Sequence, residues 1–414
     1  MNSINLKADE KTRFYFLNNK KTTLEIHNKT QILPKYNNNT ELHIDLIKQG
    51  KRARGSIKEI TEQKLASKIK SLKTLTGHNN KKFFERFPEV VKQEYNYKKS
   101  YTEFDLVDIE KEVRDHTKDL LKDKTIKKVM SKISQNTSNT KLFSKELEYG
   151  SINNCLSLNI SAIVKDKSSS GHFVETTTEK EYNIEKLFEK LKENIKLEKN
   201  PHSSTEKYRE LIITPFVFEQ LIDYFILQNI DLEDLRLNNN YIAKNWNKNI
   251  FDDKLSIIED PFLDYSPYSS KYDFEFSRTT RKDIIKNGIV KSYFADLADA
   301  YKYHNKSTGN WFFSNAETNI IVEPGTKKLD KLISETKKGI IIRDIIGLHT
   351  TNRTEGELTV PAGCANEIIN GEIKRNVKNV PIVIKITDLL NNIEISKERI
   401  QENNFLLPYI KKVI

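Results

Sequence analysis

Cysteine is almost missing from this chain: Cys155 and Cys364 are the only two in 414 residues. Two thiols far apart in sequence give no disulfide framework, and such residues are usually small buried hydrophobes. No CxxC pair occurs, which removes the common zinc-thiolate motifs. Long apolar runs are missing too. No window approaches the roughly 18–20 apolar residues that span a bilayer. The opening MNSINLKADEKTRFYF has no apolar stretch of the kind a secretory signal needs. The expectation is a cytoplasmic protein with no membrane partner. Neither GxGxxG nor GxxxxGK[ST] is found, so no phosphate-cradling loop is readable. No GxSxG elbow presents a nucleophilic serine.

Paired histidines are absent as well. His27, His43, His78, His116, His172, His202, His304 and His349 include no i, i+4 pair of the HExxH kind. Each alone reads as a surface or satisfied core residue. Cys364 in PAGCANE would need a neighbouring base to act as a nucleophile. His349 is merely the nearest histidine in sequence. Carboxylates cluster in FDDKLSIIEDPF and YDFEF. Buried and coupled, such groups do acid–base work; their usual role is turn chemistry at strand ends, and that is the preferred reading.

What is present describes a folded protein. Hydrophobic residues make up 37% and charged residues 31%, enough for two or more domains at this length. The net charge is +11 and the pI about 9.1. Lysines are dispersed along the whole chain and interleave with Asp and Glu, as in EKLFEKLKENIKLEK, a compositional habit rather than a binding stripe. Nucleic acid is thus an unfavoured partner, kept as an alternative only.

Periodicity outlines the elements. Residues 42–57 read as a hairpin turning at Gln49-Gly50, with Arg52 and Arg54 on one face of the return strand. A helix follows from Thr61, with Leu65, Ile69 and Leu72 on one face. Residues 105–131 read as a second helix capped by Asp105, its core side running from Leu106 to Met130. The polar stretch 132–147 reads as loop. A second hairpin covers 155–178, turning at 168–171, and Asn183 caps the helix after it. Polar KLEKNPHSSTEKY at 196–208 marks a domain boundary. Beyond it, LIIT leads into a helix with Thr214 as N-cap and Pro215 as first residue. From about 245 onward the pattern is β-rich, with an Asn370-Gly371 hairpin turn. The fold class expected is α+β in two domains: a mixed N-terminal domain over 1–205 and a β-rich domain over 206–414.

The second half carries a family resemblance. IFDDKLSIIEDP at 250–261, the stretch 272–303 opening on YDFEF, and KSTGN at 306–310 come in the order the family has them. So do IIVEPGTKKLDKLISETKKGIIIRDIIG at 320–347 and HTTNRTEGELTVPAGCANEIINGEIKRNV at 349–377. This order resembles the TldD/PmbA family, the modulator-of-DNA-gyrase type of metallopeptidase subunit. TldD-type members carry HExxxH and bind zinc; TldE-like (PmbA) members lack the motif. The equivalent helix here has Phe218, Glu219 and Asp223 at those positions, and a phenyl ring cannot ligate zinc. The cysteine ligand of the TldD type also has no counterpart in LPYIKKVI. The resemblance therefore implies a subunit without catalytic residues, metal or cofactor of its own. Zinc is expected in a TldD-like partner, and the assembly would be a heterodimer or a homodimer acting on unfolded peptides. A stand-alone divergent peptidase is the alternative. YDFEF departs from the family pattern by lacking its glycine after the glutamate. Gly347, His349, Asn352, Glu355 and Gly356 lie in a loop with two readings: a cavity-facing or interface loop, or a plain surface turn.

Overall fold

The computed structural model describes residues 6–9, 11–28, 30–78, 81–98, 104–164, 170–177, 182–198 and 201–413. The fold is α+β, built on two sheets. The first has six antiparallel strands: β1 (Thr12–His27), β2 (Thr30–Lys48), β3 (Lys51–Ile57), β4 (Ile126–Phe143), β5 (Glu148–Val164) and β6 (Ser170–Thr177), in the order β3-β2-β1-β4-β5-β6. Three helices accompany it: α1 (Glu62–His78), α2 (Leu106–Leu120) and α3 (Ile184–Glu198).

Strand alternation assigns the two faces of this sheet. Phe14, Phe16, Leu42 and Ile44 bury against α1 through Leu65 and Leu72. Leu24, Ile26, Leu156, Leu158 and Ile160 bury against α2 and α3. The intervening residues on the same strands, such as Tyr15, Leu17, His43 and Cys155, face the other way, where cavities separate the sheet from the second half of the chain.

The turn at Gln49-Gly50 has φ of 53° and 64°, the left-handed pair that a two-residue hairpin requires. Asp105 accepts from the amides of Val107 and Asp108, and Asn183 from Lys186, as helix caps do. His116 on α2 stacks on Phe188, ring centroids 5.2 Å apart, so it is a packing residue.

Two expectations fail here. The helix expected over 105–131 ends at Leu120. An Asp123–Thr125 turn follows, in which Asp123 accepts from the Thr125 amide and hydroxyl, and Ile126 and Met130 belong to a strand. The expected loop at 132–147 is largely the rest of that strand, β4, paired with β1 and β5 along most of its length. The second hairpin exists as β5 and β6; of the turn expected at 168–171, Ser170 and Gly171 belong to β6, and 168–169 lie outside the described residues.

Residues 202–413 contain a twelve-stranded mixed sheet. Its core includes Phe225, Phe251, Phe294 and many isoleucines. The Asn370-Gly371 turn joins its strands with φ of 51° and 79°. Phe276, standing where the family pattern has glycine, keeps a φ of 66°. The backbone there is left-handed, and a buried aromatic bears the strain that glycine would avoid. Residues 81–98 strap the halves together: the Gln93 amide donates to Tyr272 Oη at 2.7 Å and Tyr97 Oη to the Ser269 carbonyl at 2.8 Å.

Candidate functional site

A cleft lies between the open face of the first sheet and the loops 267–276 and 311–318. It has two chambers, about 200 and 510 Å³, which share Phe274 and Phe313 as their dividing wall. The floor of the larger chamber is uncharged and mixed: Asn19 from β1, Asn136, Ser138 and Thr140 from β4, and Ser151 and Asn153 from β5 supply polar groups, and Leu17, Leu142, Tyr149 and Cys155 lie among them. These positions follow the two-residue period of each strand, so one face of three neighbouring strands supplies them. Tyr268, Phe312 and Phe313 face this floor from the other side, with Glu317 as the one charged lining residue. Tyr15, His43, Trp311 and Phe313 surround the smaller chamber.

Charged residues line the smaller chamber as well: Arg13, Asp45 and Arg54. Half-buried Asp45 and fully buried Glu275 pair with Arg52 and Arg54. Arg54 stacks over Trp311 at 4.1 Å, and Arg13 over Phe87 at 4.5 Å. Burial lowers Arg13 and Arg54 to about 10. It would raise Asp45, but Arg52, Arg54 and Arg13 outweigh it and hold that carboxyl below its ordinary value.

The carboxylates singled out in the sequence fall into place as anchors. Asp273 accepts from the amides of Glu275, Ser277 and Trp311. Burial, only partly offset by these amides, raises it to about 7. Glu259 accepts from Asn310, from the Thr318 amide and hydroxyl, and pairs with Lys282 at 2.9 Å. These bonds fix both ends of the 310–318 loop that lines the cleft. The preferred reading of turn chemistry suits both residues.

The helix α4 (Pro215–Leu221) carries Phe218 and Glu219 of the degenerate motif, and Asp223 falls just beyond it. Pro215 opens it, while the Thr214 hydroxyl donates to the Ile342 carbonyl instead of capping. A π-helical turn, Ile222–Ile226, follows directly. Phe218 is fully buried in the second core. Glu219 and Asp223, four apart, are half-buried; Glu219 accepts from Asn403 Nδ2 at 2.9 Å and Asp223 from Gln228 Nε2 at 3.0 Å. Burial is the main cause that raises both, and their mutual repulsion adds to the rise of Glu219. Zinc needs ionised or imidazole donors converging on one point. A core phenyl and two carboxyls biased toward neutrality do not fit it. Among the described residues no group of three or more His, Cys, Asp or Glu could hold a metal ion.

The 347–356 loop meets this helix from outside. It forms two short 3₁₀ turns, with Gly347 and Gly356 at φ of 81° and 70°. Gly356 packs against Ile386 and Tyr241. Asn352 caps the second turn, Glu355 pairs with Lys244 at 2.7 Å, and His349 is exposed. Arg353 reaches Gln228, the donor to Asp223, at 2.7 Å. The loop lines neither chamber of the cleft. Cys155 does line it, with a thiol raised by burial, opposite to what activates a nucleophile.

Residues 205–412 match the family model of the PmbA/TldA metallopeptidase C-terminal domain. The chain belongs to this PmbA/TldD metallopeptidase family. It is 28% identical over 177 residues to the metalloprotease PmbA of Escherichia coli O157:H7, covering 41% of this chain and 38% of that one. It is 28% identical over 179 residues to an uncharacterised protein of Methanocaldococcus jannaschii, covering 42% and 40%. These alignments thus span less than half of the relatives they match. In fold, the chain superposes on TldE from Thermococcus kodakarensis with a TM-score of 0.84 at 19% identity, covering 98% of this chain and 96% of that one. A candidate modulator of DNA gyrase from Thermotoga maritima gives 0.86 at 20%, covering 97% and 95%. No helix among the described residues is long and apolar enough to cross a membrane.

PmbA/TldD membership was readable from motif order; the cleft was not. Its floor sits on the strand that looked like a loop. The signal was faint: Asn136, Ser138, Thr140 and Leu142 recur every second residue, without an apolar face to announce a strand.

The α4 carboxylates make stability depend on pH. Burial and mutual repulsion also raise Glu317, and burial with Glu219 beside it takes Glu402 to about 7. The folded state therefore holds protons that the unfolded chain has released. This contribution is fully present below the ordinary carboxylate range and is lost as pH rises to about 7. Glu402→Gln is expected to match the parent at pH 4 and exceed its stability by about 2 kcal/mol at pH 8. Urea unfolding at both values measures this. Equal stability at pH 8 would refute it.

Proposed function

We propose that the chain is the non-catalytic, TldE/PmbA-like subunit of a TldD/TldE-type zinc peptidase that degrades or matures unfolded peptides. The observation that carries this reading is Phe218, a phenyl ring locked in the hydrophobic core at the first position of the zinc motif. The likeness to TldE from Thermococcus kodakarensis supports it. In this reading a TldD-like chain supplies the zinc, which polarises the scissile carbonyl and activates water there. A second copy of this chain is the alternative partner. The proposed domains divide near residue 205, and the proposed site of action is the cytoplasm.

Elemental analysis of the purified chain is expected to find far less than one zinc per chain. An unfolded peptide such as reduced, alkylated casein fragment is expected to stay intact with this chain alone and to be cut when a TldD-type chain is added. One zinc per chain, with hydrolysis that a chelator abolishes, would favour a stand-alone peptidase and sink the proposal.

A further inference from the structure

Phe313 is held in a conformation that its side chain disfavours. Its φ is 78°, left-handed, and a bulky residue there is a real outlier. It sits at the tip of a tight turn closed by a Trp311–Asn315 bridge, with the Phe312 amide donating to the Ser314 carbonyl at 2.9 Å. Its ring is 48% exposed, although most phenylalanines of this chain are buried. Glycine would fit this turn without strain, and a polar residue would suit its exposure. The turn presents phenyl into the cleft all the same, where it divides the two chambers.

We propose that Phe313 is a ligand-gripping residue, and that the cleft takes an extended peptide segment with one aromatic or branched aliphatic side chain seated in the smaller chamber. This deepens the peptide-processing reading above and rests on it for the substrate class. Rings form one side of the smaller chamber: Phe313 lies 4.8 Å from His43, 4.9 Å from Phe274 and 5.8 Å from Tyr15 and Trp311, centroid to centroid. Arg13, Asp45 and Arg54 also line it, with Arg54 paired to Asp45 and Glu275. The rings favour a flat or branched apolar group in offset or edge contact. The larger chamber offers the amides and hydroxyls of Asn136, Ser138, Asn153 and their neighbours. These donate and accept without charge, which suits peptide backbone of any sequence. Glu317 at the acidic end complements a peptide's amino terminus or a cationic side chain. Together the chambers have the size and mixed polarity of a ligand site.

The test uses the full chain and a fluorescein-labelled, unstructured Gly/Ser decapeptide with one central Phe, read by anisotropy. The same peptide with Ser at that position is the control. The Phe peptide is expected to bind at least tenfold tighter. Phe313→Gly is expected to abolish that tenfold preference while leaving the thermal midpoint within a few degrees of the parent, because relief of strain offsets lost ring contacts. Phe313→Tyr is expected to restore the preference. Equal binding of the two peptides, a preference unchanged in Phe313→Gly, or displacement of the peptide by maltohexaose would each overturn the proposal. Such a failure in a chain that remains zinc-free and partner-dependent rejects the cleft alone. Zinc in the purified chain rejects the subunit reading whatever the peptide does.

Discussion

Glu275→Ala is expected to destabilise the fold by about 3–5 kcal/mol, the range for breaking a buried ion pair by removing one partner. The carboxylate is almost wholly buried. It accepts from the Leu297 amide at 2.6 Å, pairs with Arg52 Nη1 at 2.7 Å, and also pairs with Arg54. The Arg13 guanidinium donates to its own carbonyl. Three guanidinium groups thus gather around two carboxylates, Asp45 and Glu275. Burial raises Asp273 to about 7, so it is only partly ionised near neutral pH. Without Glu275, three desolvated cations would share one firmly ionised partner. A typical domain has about 5–15 kcal/mol of stability in all, so this variant should sit near the limit of folding. Glu275→Gln keeps an acceptor for Leu297 and should lose less. Urea unfolding with both variants measures the difference. A loss below about 1 kcal/mol for the alanine variant would show that the arginines find other partners or water.

That network also explains what the sequence could and could not reveal. The pairing of Arg52 and Arg54 on one strand face was legible from a period of two, and both do point the same way. Their partner Glu275 lies more than two hundred residues on, and no local pattern connects them. Caps and tight turns were equally legible, because Asp105, Asn183 and Asn370-Gly371 satisfy their own neighbours' backbone. Strand β4 was not. A strand is recognised by one apolar face, and between Ser134 and Lys141 neither face is apolar. Its support comes from β1 and β5 on either side, which are long-range partners. The overlong helix has the same origin. Ile126 and Met130 keep roughly helical spacing after Leu120, and only the Asp123 turn breaks it. The family emerged from motif order, and Glu259, Asp273 and Asn310 in those motifs now have physical roles in fixing the cleft loop. The smaller chamber draws on β1, β2, β3 and two distant loops, so nothing short of the fold assembles it.

Rebuilding the zinc motif is expected to fail, and the reason lies in packing. In a regular α-helix, positions five apart are roughly 140° apart around the axis. The π-helical turn at Ile222–Ile226 begins within the motif, so Asp223 sits on the widened turn while Phe218 and Glu219 sit on regular helix. The side-chain packing leaves no place for an imidazole at the first position. Phe218 fills a dry core beside Val217, Leu221 and Phe225. Phe218→His replaces a ring that fits with one that is smaller and polar, placing its nitrogens where no water reaches. The cost expected is about 2–4 kcal/mol, combining lost contacts with an unsatisfied polar group. Asp223→His at the half-buried position should cost little. The double variant would own two imidazoles, yet one would need to leave the core to meet Glu219. Dialysis of the double variant against equimolar zinc is therefore expected to leave less than a tenth of the chains loaded. Stoichiometric zinc in a folded double variant would show that position 218 can still swing to the surface, and that imidazole alone is what this chain lacks.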